Sequence, residues 1–126
     1  MRVLIDTVTF IWAVRDPQYV SRPAMSMLAN EATLAELSAI SISEIAVKQA
    51  IGKLTFSKED VAKSIASLKL RVLSYTAEHS YKLFELPLHH TDPFDRQIIA
   101  QAMAEEIPVM TSDRIFGAYQ GLKIIW

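Results

Sequence analysis

The chain has no cysteine, so neither a disulfide framework nor a thiolate metal site is open to it. Glycine is nearly as scarce. Only Gly52, Gly117 and Gly121 occur, too scattered for the glycine-rich loops that cradle phosphates and dinucleotides, and no G-x-S-x-G elbow is present to raise a nucleophilic serine. No apolar run reaches the ~18 residues of a membrane-crossing helix. Neither sign of charge is in excess: 13 basic residues against 14 acidic ones leave a net charge of -1. The chain as a whole is therefore no electrostatic magnet for nucleic acid or an anionic membrane, and any nucleic-acid contact must rest on local basic groups and a bound cation. The lack of cysteine is compatible with a reducing compartment, and Asp6 comes too early for a signal peptide's apolar centre, so a cytoplasmic location is the expectation.

With 126 residues, 51% of them hydrophobic and 21% charged, the chain is long and apolar enough for one core, and a single domain over 1–126 is expected. The apolar content is slightly rich, as a buried subunit interface would make it. Apolar strand-like runs at Arg2 to Ile5, Leu37 to Ser41, Arg71 to Ser74, Pro108 to Thr111 and Lys123 to Ile125 alternate with helical stretches. The helices are expected from Thr7 to about Val14, Pro23 to about Ala32, Ile42 to Ala50, Asp60 to Leu68, Ala77 to Leu86 and Pro93 to Glu106. The last of them carries Phe94, Ile98, Ile99, Ala102 and Met103 on one stripe. Strands alternating with helices predict an α/β fold with a central parallel sheet of about five strands.

Four acids fall where strands are expected to give way to helices: Asp6, Glu44, Asp95 and Asp113. In open α/β sheets such junctions converge in a crevice beyond the carboxyl ends of the strands. Carboxylates gathered there repel one another unless a cation lies between them, and hard oxygen donors suit Mg²⁺ or Mn²⁺. Each acid also has a structural explanation. Ser41-Ile42-Ser43-Glu44 fits the S-x-x-E capping box, Asp92 can cap a helix that begins at Pro93, and Asp6 and Asp113 can cap the segments immediately after them.

The stretches Leu4-Ile5-Asp6-Thr7, Ser43-Glu44-Ile45-Ala46-Val47-Lys48, His89-His90-Thr91-Asp92-Pro93-Phe94-Asp95-Arg96, Ile99-Ala100-Gln101-Ala102 and Thr111-Ser112-Asp113-Arg114 carry a resemblance in their order and spacing. From residue 1 to residue 126 the chain resembles a PIN domain, specifically the VapC ribonuclease toxins of toxin–antitoxin pairs. The resemblance implies a three-layer α/β/α fold and a Mg²⁺- or Mn²⁺-dependent endoribonuclease. It also implies a homodimer or a toxin–antitoxin hetero-oligomer, with a VapB-like antitoxin as inhibitor. By the same resemblance the acidic ligands fall on Asp6, Glu44, Asp95 and Asp113, with Asp92 left as the helix cap. Val8 and Ser43 depart from relatives that carry His and Trp there, which bears on substrate choice and local packing.

For the reaction, Asp6, Asp95 and Asp113 are expected to hold the ion, and Glu44 a second ion or the attacking water. The Thr111 hydroxyl would serve a carboxylate or the water, or simply cap. Lys48 stands one helical turn after Glu44, an ordinary ion pair that the resemblance also turns toward the pocket. Arg96 and Arg114 each follow a ligand and could bind flanking phosphates or be solvated. His89 and His90 lack the helical spacing of a zinc site and read as loop residues. Tyr75, Tyr81, Phe84, Trp12 and Trp126 read as core or interface. Two other functions compete: a catalytically silent PIN scaffold binding RNA or protein, and a Mg²⁺-dependent receiver-like phosphoacceptor, which wants adjacent acids where this chain has only Asp6 before Thr7.

Overall fold

Side chains along each strand alternate between two faces, and helices cover both. The structure, a computed structural model, describes residues 1–126. The chain runs β1 (Arg2–Ile5), α1 (Thr7–Arg15), α2 (Arg22–Ala29), β2 (Leu34–Ser38), α3 (Ala39–Ala50), α4 (Lys58–Ser67), β3 (Arg71–Leu73), α5 (Ala77–Leu83), α6 (Pro93–Glu105), β4 (Val109–Met110) and β5 (Ile124–Ile125), with 3₁₀ helices at Pro17–Tyr19 and Arg114–Ala118. Every strand pairing is parallel, and the five strands lie in the order β3-β2-β1-β4-β5.

Register follows burial. Ile5 lies level with Leu37 and Met110, and these residues, with Val3 and Ala35, face a core completed by Phe10 and Ala13 of α1, Ala24 of α2, Ile45 of α3 and Val61 of α4. Leu4, level with Val109, faces the opposite core, built on Ile98, Ile99 and Ala102 of α6. The result is the expected three-layer α/β/α arrangement around a parallel sheet. Most of the apolar stripe of α6 packs as its spacing requires, with Ile98, Ile99 and Ala102 buried and Met103 partly so, whereas Phe94 in the first turn stays half-buried outside both cores. No helix is long and apolar enough to cross a membrane.

Several boundaries differ from the sequence expectation. The second strand begins at Leu34 rather than Leu37, because β2 pairs with the whole length of β1 from Arg2↔Leu34 onward. A charged Glu36 in its middle disguises it as loop. The following helix therefore starts at Ala39, capped by Ser38, whose hydroxyl accepts the Ile40 N–H. The capping box expected at Ser41 to Glu44 does not form. Ser41 lies inside α3, where its hydroxyl accepts a hydrogen bond from Thr7 at 2.9 Å. Helix α2 stops at Ala29 because the Asn30 side chain accepts the Ala32 N–H and turns the chain. Past Leu83, α5 gives way to turns in which Phe84, Glu85 and Leu86 bond three residues back. Gly52 follows α3 as expected for a helix stop, with φ +75, a backbone conformation that residues with a Cβ adopt only under strain.

Candidate active site

The strand order has a functional consequence. From β1 the chain builds outward through β2 and β3 and then returns to place β4 on the other side of β1. That reversal makes the carboxyl ends of β1 and β4 a topological switch point, where open α/β sheets form their ligand crevice. Asp6 follows β1 directly, and Thr111 follows β4 directly.

The two meet across the switch point. Thr111 donates its hydroxyl to Asp6 Oδ2 at 2.6 Å and accepts the Asp113 N–H at 3.0 Å. Asp6 Oδ1 accepts the Thr9 N–H at 2.9 Å and so caps α1. Asp113 caps the 3₁₀ helix through the Ile115 N–H at 3.0 Å. Asp92 caps α6 by accepting the N–H of Asp95, which lies in the first turn. Capping and site-building are thus the same geometry: a cap places its carboxylate at the strand-to-helix turn, where the crevice opens.

Glu44 arrives differently. It sits in the second turn of α3 and not at its start, buried, with Oε2 accepting from Lys48 Nζ at 2.6 Å. Its Oε1 is buried with no hydrogen-bond partner. An unsatisfied buried carboxylate oxygen is costly, and a cation is the natural remedy.

The electrostatics agree. Burial pushes the Asp95 carboxyl up to about 7, helped by the nearby charges of Asp92, Glu44, Asp6 and Asp113. Asp6 is also raised, by burial first and by Asp113, against the hydrogen bonds from Thr111 and Thr9. The Lys48 ammonium is raised, chiefly by its bond to Glu44. Asp6 and Asp95 thus lie where burial and neighbouring negative charge disfavour their ionised forms. No three His, Asp or Glu side chains are yet drawn together as a ready ligand cluster. The oxygen-donor set and the orphaned Glu44 oxygen fit a hard divalent cation.

The expected basic residues divide. Lys48 lies at the acids, and Arg114 is exposed beside Asp113. The Arg96 donors are already engaged, with the carbonyls of Pro87 at 2.9 Å, His90 at 3.5 Å and Leu86 at 3.4 Å and with the Tyr119 hydroxyl at 3.0 Å. It ties down the loop before α6. Two residues outside the expected ligand set also reach the site. His90 lies 3.6 Å from Asp95 Oδ2 through Nε2, and its Nδ1 is 2.7 Å from the Tyr119 hydroxyl. The position of His90 in a loop gives it no ligand spacing by which to recognise it, and nothing in the sequence singles out Tyr119. An apolar groove lies elsewhere, between α3 and α4, and its lining of Ile42, Ile45, Phe56, Val61 and Ile65 includes none of the acids.

Comparison with known proteins gives a consistent picture. A family model described as the PIN domain matches residues 3–122. No curated protein matches the chain. Among solved structures, the chain is similar to VapBC2 from Rickettsia felis bound to a promoter DNA fragment, at 19% identity and TM-score 0.75 over 100% of this chain and 99% of that one. It is similar to DNA-bound VapBC from Salmonella typhimurium at 16% identity and TM-score 0.72, covering 99% and 97% of the two chains. VapBC-5 from Mycobacterium tuberculosis, a member of the VapBC family of toxin–antitoxin systems, matches at 17% identity and TM-score 0.62, covering 98% and 97%. At these identities the likeness is one of fold.

Proposed function

The chain belongs to the PIN domain family, and on that premise we propose that it is a VapC-type toxin. In this reading it is a Mg²⁺- or Mn²⁺-dependent endoribonuclease that acts in the cytoplasm and is held inactive by a VapB-like antitoxin. The observation that carries the reading is the surplus of negative charge at the switch point, where Glu44 keeps a buried oxygen without a partner amid three other acids. Family membership favours this over a receiver-like phosphoacceptor. The similarity to chains of VapBC toxin–antitoxin complexes supports the partner.

The reaction is addition of water across a phosphodiester P–O bond of RNA. Asp6, Asp95 and Asp113 would hold the ion, and Glu44 would hold a second ion or orient the water. When bound, a divalent ion there supplies positive charge that polarises a phosphate oxygen and lowers the pKa of water. Thr111 and the Thr9 N–H keep the Asp6 carboxylate fixed, so that its orientation need not be found during the reaction. Lys48 offsets the charge of Glu44 and presents an ammonium to a substrate phosphate. Arg114, exposed and adjacent to Asp113, is available to a flanking phosphate, whose two oxygens suit a guanidinium. Arg96, tied to carbonyls, acts by holding its loop.

The test is cleavage of a mixed pool of tRNA and structured RNA by antitoxin-free protein, with Mg²⁺ or Mn²⁺ and with EDTA. Cutting is expected only with metal, and Asp6→Asn and Asp95→Asn should each lower it by about a hundred-fold or more, as loss of ~3 kcal/mol of ion-mediated stabilisation requires. A folded, metal-binding protein that cuts nothing would instead favour the silent scaffold.

A further inference from the structure

His90 and Tyr119 have no part as ligands or phosphate contacts in the reaction above, yet their hydrogen bonds form a directed chain that leaves His90 Nε2 facing Asp95. The direction is set by the donors and acceptors each group carries. A guanidinium only donates, so the Arg96 bond of 3.0 Å to the Tyr119 hydroxyl makes the phenol oxygen the acceptor. The phenol has a single proton, and the other partner within reach is His90 Nδ1 at 2.7 Å. If Nδ1 donated instead, the proton of the buried Tyr119 hydroxyl would have no acceptor, so the arrangement that satisfies both groups has Tyr119 donating to Nδ1. A neutral imidazole whose Nδ1 accepts must carry its proton on Nε2. That Nε2 is buried and has no hydrogen-bond partner, and the group facing it is Asp95 Oδ2 at 3.6 Å.

This distance is too long for a hydrogen bond as it stands. A buried N–H left without an acceptor is unfavourable, however, and contacts of this kind tighten when a site closes on its ligand. The ring is not free to turn away. It packs edge-on against Tyr119, with centroids 5.5 Å apart, and lies 6.2 Å from Phe116, while Arg96 clamps the backbone carbonyl of His90 itself. Arg96 thus fixes both the loop and, through Tyr119, the tautomer.

We propose that His90 is a positioning residue: its Nε2–H, set by the Arg96–Tyr119 pair, holds Oδ2 of Asp95 and leaves the second carboxylate oxygen for the divalent ion. The proposal deepens the nuclease reading and rests on it for the role of Asp95. Outer groups that orient a ligating carboxylate typically change metal affinity by about 10–100-fold when removed. A ring that merely fills space has no such effect and no required tautomer.

The tautomer is read first, by long-range ¹H–¹⁵N NMR of the full, metal-free, antitoxin-free chain at pH 8. His90 is expected as the Nε2–H form, and Tyr119→Phe is expected to mix the two forms. A parent ring protonated on Nδ1 overturns the proposal whether or not any variant folds. Mn²⁺ affinity is measured next, by calorimetry on variants whose thermal unfolding matches the parent. His90→Phe should bind at least about 10-fold more weakly, and His90→Gln, whose amide restores a donor near Nε2, should recover to within about 3-fold. Unchanged affinity in His90→Phe overturns it. RNA cleavage by the same proteins separates the two readings: a parent that binds Mn²⁺ through this relay but cuts no RNA sinks the nuclease and spares the relay. A parent that cuts RNA while His90→Phe keeps full Mn²⁺ affinity does the reverse.

Discussion

Asp6 and Asp95 both resist ionisation because each is buried among other acids. A raised carboxyl pKa has a definite sign in stability. Between the ordinary value of 3.8 and about 7, the folded protein holds the Asp95 proton more tightly than the unfolded chain does. That contribution is complete below the unfolded value and is lost as pH rises through the folded one. Glu105 works oppositely, lowered first by His79 and then by Arg2, but its stabilising effect is lost only as pH falls below the unfolded value of 4.5. In EDTA, the melting temperature is therefore expected to fall between pH 5 and pH 8. Asp95→Asn should flatten that slope, and so should Mn²⁺, which takes the place of the missing proton. Calorimetric scans across this range check it, and a melting temperature that instead rises through pH 7 would contradict the arrangement of charges described. The caps made by Asp6, Asp92 and Asp113 were legible residue by residue, since cap chemistry marks them, whereas the capping box read at Glu44 does not form. The partners that tune them, Thr111 for Asp6 and His90 for Asp95, depend on approach through space.

At the scale of elements, the end of the sheet opposite the acids is fastened by charge. Glu36 of β2 is wholly buried, and Arg2 of β1 grips both of its oxygens at 2.6 and 3.0 Å while Arg71 of β3 adds a bond of 2.9 Å. Arg2 reaches on to Glu105 at the end of α6, and Glu105 to the buried His79 of α5. One chain of ion pairs and hydrogen bonds thus joins three strands and two helices. Glu36 points to the α5–α6 face because it lies level with Leu4, and that face would otherwise be apolar. Removing it leaves the partly buried Arg2 with Glu105, at 3.1 Å, as its one carboxylate partner. Glu36→Ala is expected to cost about 3 kcal/mol in urea unfolding. Arg71→Ala, which removes a side chain that is 55% exposed, should cost under about 1 kcal/mol. The same buried charge explains the displaced second strand. A charged residue reads as loop until its counter-ions, contributed by two other strands, are known.

At the scale of the whole molecule, apolar surface is left uncovered. Tyr81, Phe84 and Leu88, at the end of α5 and in the loop after it, are 63%, 89% and 73% exposed. The groove between α3 and α4 has a volume of about 590 Å³ and an apolar lining. Apolar surface exposed in this way is characteristic of association sites, in line with the homodimer that the family resemblance implies and with the proposed antitoxin. Phe84→Asp is expected to shift sedimentation equilibrium from dimer toward monomer while leaving secondary structure intact. A dimer unchanged by the substitution would place the contact on another face, and a parent that sediments as a monomer would remove the homodimer. Overproduction alone is expected to arrest growth and co-production of the antitoxin to restore it, so a chain harmless without its partner would remove the toxin role while leaving the nuclease chemistry to be judged on RNA.

The sequence by itself determined the alternation of strands and helices, the parallel α/β class and the caps at Asp6, Asp92 and Asp113, because apolar periodicity and helix capping act over a few neighbouring residues. Only the tertiary structure decided that β4 returns beside β1, so that Thr111 donates to Asp6 from 105 residues away. It likewise decided that Glu44 enters from inside a helix, that Arg96 serves its own loop, and that Tyr119 sets the ring of His90. Such contacts are fixed by strand order and by packing between distant segments, and no local pattern of residues encodes them.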